Sequence, residues 1–350
     1  MYISIIGNAG SGKTTLFQAL SGIRNEGGYS DKANLAIIDV PDERVDALTK
    51  IFKPKKTVYA RIELADTVAI EEGNVQKGTI SAKTLQQMRT SDAFILTVAY
   101  FDGKTSSDAF REVHGIEGEF ILSDMAQIEG RIERMKKQAK KGDTTQAQEE
   151  ALFEKCLAHL NEEKPLSSLS LEAQEIRSLR GFQLLSLKPM MIVVNTGEDN
   201  IEQGPAVADE LQNKFPAHPV IHACAKLESE LALMSDDERA EFMKEYSITE
   251  SIRGRIVRLA FETLGLICFL TVGEDECRAW PIRKGSNAQE AAAAVHTDLS
   301  NRFIRAETVA YSDFMKCGSM PECKKAGVWR LEGKTYIVQD GDILNIRAGT

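Results

Sequence analysis

The sequence contains no CxxC pair, and its six cysteines form no cluster with zinc-ligand spacing to its five histidines. A zinc site is therefore not expected. The scattered Cys156, Cys224, Cys268, Cys277, Cys317 and Cys323 read as free thiols of a reducing compartment. Basic charge is not in excess: 43 Lys and Arg against 52 Asp and Glu leave a net charge of -9. That excludes a chain that coats nucleic acid by bulk charge, while local basic patches stay open. No apolar stretch reaches the length of a membrane span. The first residues lack a basic n-region and their apolar run stops at Gly7, so a signal peptide is not expected. There is no internal repeat and no long disordered tract. The expected setting is the cytoplasm, with no membrane partner and a monomeric state.

What is present is enough chain for two or three domains. Length is 350 residues and the hydrophobic fraction is 43%, ordinary for a globular core. Short apolar runs at residues 2–6, 35–38, 61–65, 93–99, 190–194 and 220–223 alternate with helical spacing. Continuous apolar strands separated by helices predict a mainly parallel sheet covered on both faces. Asp42 is placed to cap a helix through Val45, Leu48, Ile51 and Phe52.

Residues 121–186 break this rhythm. Leu122, Met125, Ile128, Ile132, Met135 and Ala139 recur at steps of three and four, as do Leu152, Phe153, Leu157 and Leu160 after a turn at Gly142-Asp143-Thr144. The spacing predicts an inserted, coiled-coil-like helical hairpin. Its tip carries Arg131, Arg134, Lys136, Lys137, Lys140 and Lys141 against Glu133. That stripe is either a solvated helix face or a contact for RNA phosphates. Helices are expected near residues 236–245 and 249–264. Beyond them, strands at 267–272, 277–282, 336–339 and 343–346 around a helix at 288–296 predict a small β-grasp module. The expected domains are a G domain at residues 1–120 and 187–264, the insertion at 121–186, and the C-terminal module at 265–350.

Gly7-Asn8-Ala9-Gly10-Ser11-Gly12-Lys13-Thr14 fits G-x-x-x-x-G-K-[ST] between a strand and a helix. Such a loop turns successive backbone N–H groups inward as a nest for anionic oxygens, and the helix N-terminus behind it adds positive potential. The cradle is expected to run from Asn8 through Ala9, Gly10, Ser11, Gly12, Lys13 and Thr14 to Thr15. Lys13 supplies a point charge to the β- and γ-phosphates and the Thr14 hydroxyl ligates Mg²⁺. Asp66, at the end of a strand, is read as the second Mg²⁺ residue, a helix cap being the alternative. Asn195-Thr196-Gly197-Glu198 stands where guanine-binding proteins carry N-K-x-D. The lysine that flanks guanine is absent and the carboxylate is one methylene longer, which favours adenine. The alternative is an Asx-type turn with no base contact.

With these residues in place, the chain resembles the YchF/Obg-like ATPase family, a branch of the Obg GTPases within the TRAFAC class. The resemblance is carried C-terminally by Arg278-Ala279-Trp280-Pro281-Ile282-Arg283-Lys284-Gly285, by His296-Thr297-Asp298, and by the run from Leu331 to Asp342. Those stretches are similar to the family's TGS domain. Val40-Pro41-Asp42-Glu43-Arg44, Lys53-Pro54-Lys55-Lys56, Asn195 and Glu198 match further. Cys224-Ala225-Lys226 is similar to the loop that touches the base from the other side, so Cys224 and Ala225 join the expected nucleotide contacts. The resemblance implies binding and hydrolysis of ATP in preference to GTP, Mg²⁺ as cofactor, and association with the ribosome or its RNA as a translation and stress switch. It also implies a hydrophobic residue, here Ile70, in place of the water-orienting Gln, and hence slow hydrolysis. A nucleotide-gated ribosome adaptor with little turnover is the alternative function, and a P-loop kinase a third.

The sequence departs from the family pattern in its P-loop, Ala9-Gly10-Ser11-Gly12 for P-N-V-G. It departs again at Asp66-Thr67-Val68-Ala69 for D-x-x-G, and in a switch segment shortened to Gly27-Gly28-Tyr29-Ser30-Asp31, where Ser30 is the candidate replacement for the switch Thr. These changes bear on γ-phosphate sensing and on rate.

Overall fold

A computed structural model describes residues 1–23, 34–67, 70, 82–138, 144–245 and 251–349. The shortened switch segment, Ala69, Ala139, Lys140, Lys141 and the turn expected at 142–143 lie outside them. The chain divides into two units, Met1–Ile37 with Glu63–Arg253, and Ile38–Ile62 with Gly254–Thr350. Its strands are β1 Tyr2–Ile6, β2 Asn34–Val40, β3 Lys56–Val58, β4 Ala60–Asp66, β5 Ala93–Tyr100, β6 Met190–Thr196, β7 Val220–Ala223, β8 Leu266–Thr271, β9 Glu276–Arg283, β10 Phe303–Ala310, β11 Arg330–Glu332 and β12 Asp342–Ala348.

One six-stranded sheet has the order β2-β4-β1-β5-β6-β7. β1 pairs in parallel with β4 and β5, and β5, β6 and β7 continue in parallel. β6 is buried along its whole length and β5 nearly so. Both are therefore unbroken apolar runs rather than alternating ones, as a sheet covered on both faces requires. Because these strands run the same way, Gly7, Asp66, Tyr100, Asn195 and Cys224 all arrive at one edge, the carboxyl end where ligands of such sheets sit.

In chain order the helices begin with α1 Lys13–Ser21, α2 Glu43–Phe52, α3 Ala82–Thr90, α4 Ser106–Gln138 and α5 Thr144–Leu160, of which α2 belongs to the second unit. α4 is one 33-residue helix, so the hairpin boundary expected at residue 121 falls inside it. Its start is a capping box: Asp108 Oδ2 accepts from Thr105 N at 2.8 Å and Thr105 Oγ1 accepts from Asp108 N at 3.4 Å. The two halves of α4 serve different cores. Ala109, Val113, Ile116 and Phe120 pack on Phe94, Leu96, Val98 and Ile192 of the sheet. Ile121, Ile128, Ile132 and Met135 pack instead with Phe153, Cys156 and Leu160 of α5. Between them Asp124, fully buried, accepts from Leu185 N at 2.9 Å and from Ser186 N and Oγ at 2.7 Å. Burial pushes its carboxyl up, against the pull of these donors.

The basic stripe at the end of α4 meets more acid than Glu133. Arg131 pairs with Glu149 at 2.9 Å and Lys136 with Glu150 at 3.8 Å, both on α5, while Lys137 pairs with Glu133 at 2.7 Å. Antiparallel packing of α5 brings these acids across, which linear counting of charge along α4 misses.

The second unit holds a six-stranded sheet of order β11-β10-β12-β8-β9-β3. β8 and β9 form an antiparallel hairpin, β12 lies parallel to β8, and β10 is antiparallel to β12. The helix Ala288–Val295, capped by Asn287 Oδ1 accepting from Gln289 N and Glu290 N at 3.0 Å, covers Phe269, Phe303 and Leu344. This is a β-grasp arrangement. α2 starts at Asp42 as expected, with Oδ1 accepting from Arg44 N at 2.9 Å. The strand expected at 336–339 is a loop with one isolated bridge, Asn287 to Ile337. Tyr336 Oη and Gln339 N both donate to Asp342 Oδ2, at 2.7 and 2.9 Å, so the segment folds around that carboxylate instead of pairing. The cysteines are free, and burial pushes the Cys268 thiol up to about 12.

Candidate nucleotide-binding site

The loop between β1 and α1 is shaped by two glycines that admit no substitute. Gly7 has φ of 148°, and a Cβ there would lie 2.4 Å from Thr97 O on β5. Gly12 has φ of 91°, and a Cβ would lie 2.1 Å from Asn195 Nδ2. Between them the chain curls back, with Ser11 N donating to Asn8 O at 3.2 Å. Ala9 and Gly10 are exposed at the crest, Asn8 is half-buried, and Ser11 is buried with its Oγ unpartnered. Such a loop leaves backbone amides pointing at an anion rather than at one another.

Lys13 opens α1 and its ammonium donates to Asn8 O at 2.7 Å, folding the side chain over the loop. It is 8% exposed. Burial lowers its pKa, opposed by the charges of Asp66 and of Glu112. An ammonium in that position gains most from a polyanion, which would replace the lost water. Thr14 Oγ1 donates to Asp66 Oδ2 at 2.8 Å. Asp66 Oδ1 is buried with no partner. Asp66 Oδ2 thus takes a side-chain hydroxyl rather than the backbone N–H that a helix cap accepts. Hydroxyl, carboxylate and an orphaned carboxylate oxygen are hard donors, the set that suits Mg²⁺ with several of its waters retained. Thr15 follows on the first turn of α1, half-buried.

Asn195 is the hub of the base side. It is 5% exposed; its Nδ2 donates to Ser11 O at 3.0 Å and its Oδ1 accepts from Ala225 N at 2.9 Å. One side chain thus fastens the phosphate loop to the loop after β7. Glu198, at the start of the short 3-10 helix Glu198–Gln203, pairs with Lys226 at 2.8 Å; both side chains are exposed. Cys224 is buried at the start of the helix Ala225–Leu231, and burial raises its thiol pKa. The segment is closed by a capping-box contact rather than an Asx-type turn: Asn200 reaches back three residues to accept from Gly197 N at 2.7 Å and donates to Tyr100 O at 2.9 Å. Asn195 therefore remains engaged with the phosphate loop. Lys226 was not among the expected contacts, although its place after Cys224-Ala225 signals it.

Ile70 is fully buried in the core with Met88, Leu96, Val113 and Ile116, and its N donates to Gly7 O at 3.1 Å. Its side chain cannot orient water. Sequence reading also missed a group of charges beside the loop. Asp102, Lys104, Asp108, Arg111 and Glu112 line a cavity of about 340 Å³ together with Asn8. The only signal for them was position, since residues 101–105 leave β5 at the same carboxyl edge. Among the described residues no group of three or more His, Cys, Asp or Glu is placed to hold a metal by itself, and no helix is long and apolar enough to cross a membrane.

Comparison with known proteins agrees with this fold. Residues 266–349 match the family YchF-GTPase_C, described as "Protein of unknown function (DUF933)". The chain is 35% identical to the "Ribosome-binding ATPase YchF" of Pasteurella multocida (strain Pm70), with 98% of each chain covered. The protein of the same name from Bacillus subtilis (strain 168) is also 35% identical, again with 98% of each covered. Among solved structures, the Schizosaccharomyces pombe YchF GTPase superposes with a TM-score of 0.83 at 26% identity, covering 99% of this chain and 97% of that one. A GTP-binding protein from Pyrococcus horikoshii OT3 shares the fold, with a TM-score of 0.60 at 18% identity over the full length of both.

Proposed function

The chain belongs to the YchF family, and from that premise we propose that it binds Mg²⁺ with a purine nucleoside triphosphate and hydrolyses it slowly, with ATP preferred over GTP. The observation that carries this is the pairing of a curled amide loop with Lys13 folded over it and a Thr14–Asp66 contact that leaves one buried carboxylate oxygen without a partner. The loop amides and the Lys13 ammonium bind the triphosphate oxygens. Thr14 and Asp66 would hold Mg²⁺, which would supply neutralising positive charge to the triphosphate. Asn195 keeps the loop registered against the base side. Glu198, steadied by Lys226, presents a carboxylate to the exocyclic amino group of adenine.

The relatives named as ribosome-binding ATPases support a ribosome-associated role, with ribosome or ribosomal RNA as partner; a cytoplasmic setting, a regulatory task and a monomeric state belong to the same proposal. A nucleotide-gated adaptor with little turnover stays as the second reading, because Ile70 is committed to the core and offers nothing to a water. Phosphate release from Mg-ATP and from Mg-GTP, measured with and without ribosomes, separates the two. Slow release that is faster with ATP supports the ATPase. Release with neither nucleotide, together with nucleotide-dependent co-sedimentation with ribosomes, would leave the adaptor.

A further inference from the structure

With Ile70 committed to the core, hydrolysis needs another group to hold the attacking water, and the cavity beside Asn8 contains one. Lys104 Nζ donates to Glu112 Oε1 at 2.6 Å, and the Glu112 side chain is only 10% exposed. Glu112 Oε2 accepts from Ala99 N at 3.4 Å, which anchors the carboxylate to the end of β5. β5 lies beside β1 with Leu96 opposite Ile6, so residues 97–104 emerge next to the phosphate loop. Lys104 is delivered by a tight turn in which Asp102 and Gly103 both have positive φ, 52° and 79°. The Glu112 charge is felt at the Lys13 ammonium. Lys13 in turn touches Asn8, which lines the same cavity. Glu112 therefore borders the same cavity as Asn8, the residue whose carbonyl holds Lys13, and that cavity has room for water.

We propose that Glu112 is the water-positioning base of hydrolysis in this chain, with Lys104 as its fixed counter-ion. The role rests on the ATPase reading above. Glu112 accepts a hydrogen bond from the attacking water. As the water oxygen bonds to the γ-phosphorus, the bond to the β–γ bridging oxygen breaks and its electron pair leaves with the diphosphate. The water proton passes to Glu112 and then to the released phosphate, restoring the carboxylate. Lys104 neutralises Glu112, so that a carboxylate can stand beside a triphosphate without strong repulsion. Glu112 on α4, with Lys104 from the turn before it, supplies what the Ile70 side chain cannot.

The test is single-turnover phosphate release with protein in excess over Mg-ATP, alongside Mg-ATP affinity, for wild type, Glu112→Gln, Lys104→Ala and the charge-swapped pair Lys104→Glu with Glu112→Lys. General-base assistance is worth about 10²–10⁴-fold. Glu112→Gln is expected to release phosphate at least about tenfold more slowly with affinity within about threefold of wild type. Lys104→Ala, at a half-exposed position, carries the same expectation independently of how Glu112→Gln folds. The swapped pair keeps an ion pair but should stay slow. Wild-type turnover in Glu112→Gln, or its recovery in the swapped pair, would overturn this role alone. Absence of turnover in wild type would overturn both this role and the hydrolysis reading.

Discussion

Asp66 and Asn195 do opposite jobs at the site, and single changes separate them. Asp66 holds Thr14 with one oxygen and keeps the other without a protein partner. Asp66→Asn preserves shape but removes the charge that a divalent cation needs. Loss of a partner to a metal site typically weakens it 10–100-fold. The Mg²⁺ concentration for half-maximal phosphate release should therefore rise at least about tenfold. An unchanged Mg²⁺ titration would show that Asp66 has no part in the cation site. Both ends of the Asn195 amide are engaged by backbone: it donates to Ser11 O and accepts from Ala225 N. Asn195→Ala strands both, and each unpaired buried group costs about 1–3 kcal/mol. Denaturant unfolding should show a loss of about 2–6 kcal/mol for the two together, and ATP and GTP affinities should fall together. A selective loss of one nucleotide would instead make Asn195 a base-reading residue.

Helix α4 ties the sheet core to the helical pair, and its glycines are open to improvement. Gly118 and Gly130 lie in its interior, and a Cβ at either would meet nothing within 4 Å. Gly118→Ala and Gly130→Ala should each stabilise the protein by about 0.5–1 kcal/mol, read as a shift in denaturant midpoint at constant m-value. Destabilisation would mean that the helix ends or bends at these points. The extent of α4 also shows what a linear sequence conceals. The change of core partner near residue 121 resembles a new element, yet the backbone runs through it because one helix serves two packing faces. β10 was missed for a related reason. Its register shifts between Phe303 and Arg305, which spoils the alternation that marks a half-buried strand. β3 is a three-residue strand, too short to carry a pattern. The phosphate loop was legible because its residues act within eight consecutive positions. Lys104 and Glu112 were not, because their place beside Asn8 follows from the register of β5 against β1.

At the scale of the whole molecule, ligand binding and local reporters fall in different units. The phosphate loop, Asp66 and Asn195 lie in the first unit, while both tryptophans, Trp280 and Trp329, lie in the second. Trp280 stacks on Phe269 with ring centroids 6.3 Å apart, and Arg278 lies 4.0 Å over it. Tryptophan emission therefore follows the β-grasp unit, and far-UV circular dichroism follows the chain as a whole. A ligand that binds only the native state stabilises by about 2.7 kcal/mol at a concentration of 100 Kd. Mg-ATP at that level should raise the circular-dichroism midpoint, and Lys13→Ala should abolish the rise. A midpoint indifferent to Mg-ATP in the wild-type protein would exclude specific binding to the folded chain.

The measurement closest to the core of the matter is calorimetric titration of Mg-ATP into the wild-type protein and into Lys13→Ala. One-to-one binding by wild type, weakened at least about a hundredfold when the ammonium beside Asn8 is removed, is the expected result, since a hundredfold is about 2.7 kcal/mol for one buried charge-assisted contact. Absence of binding to folded wild type, or equal binding by the two proteins, would contradict the assignment of this loop as a triphosphate cradle.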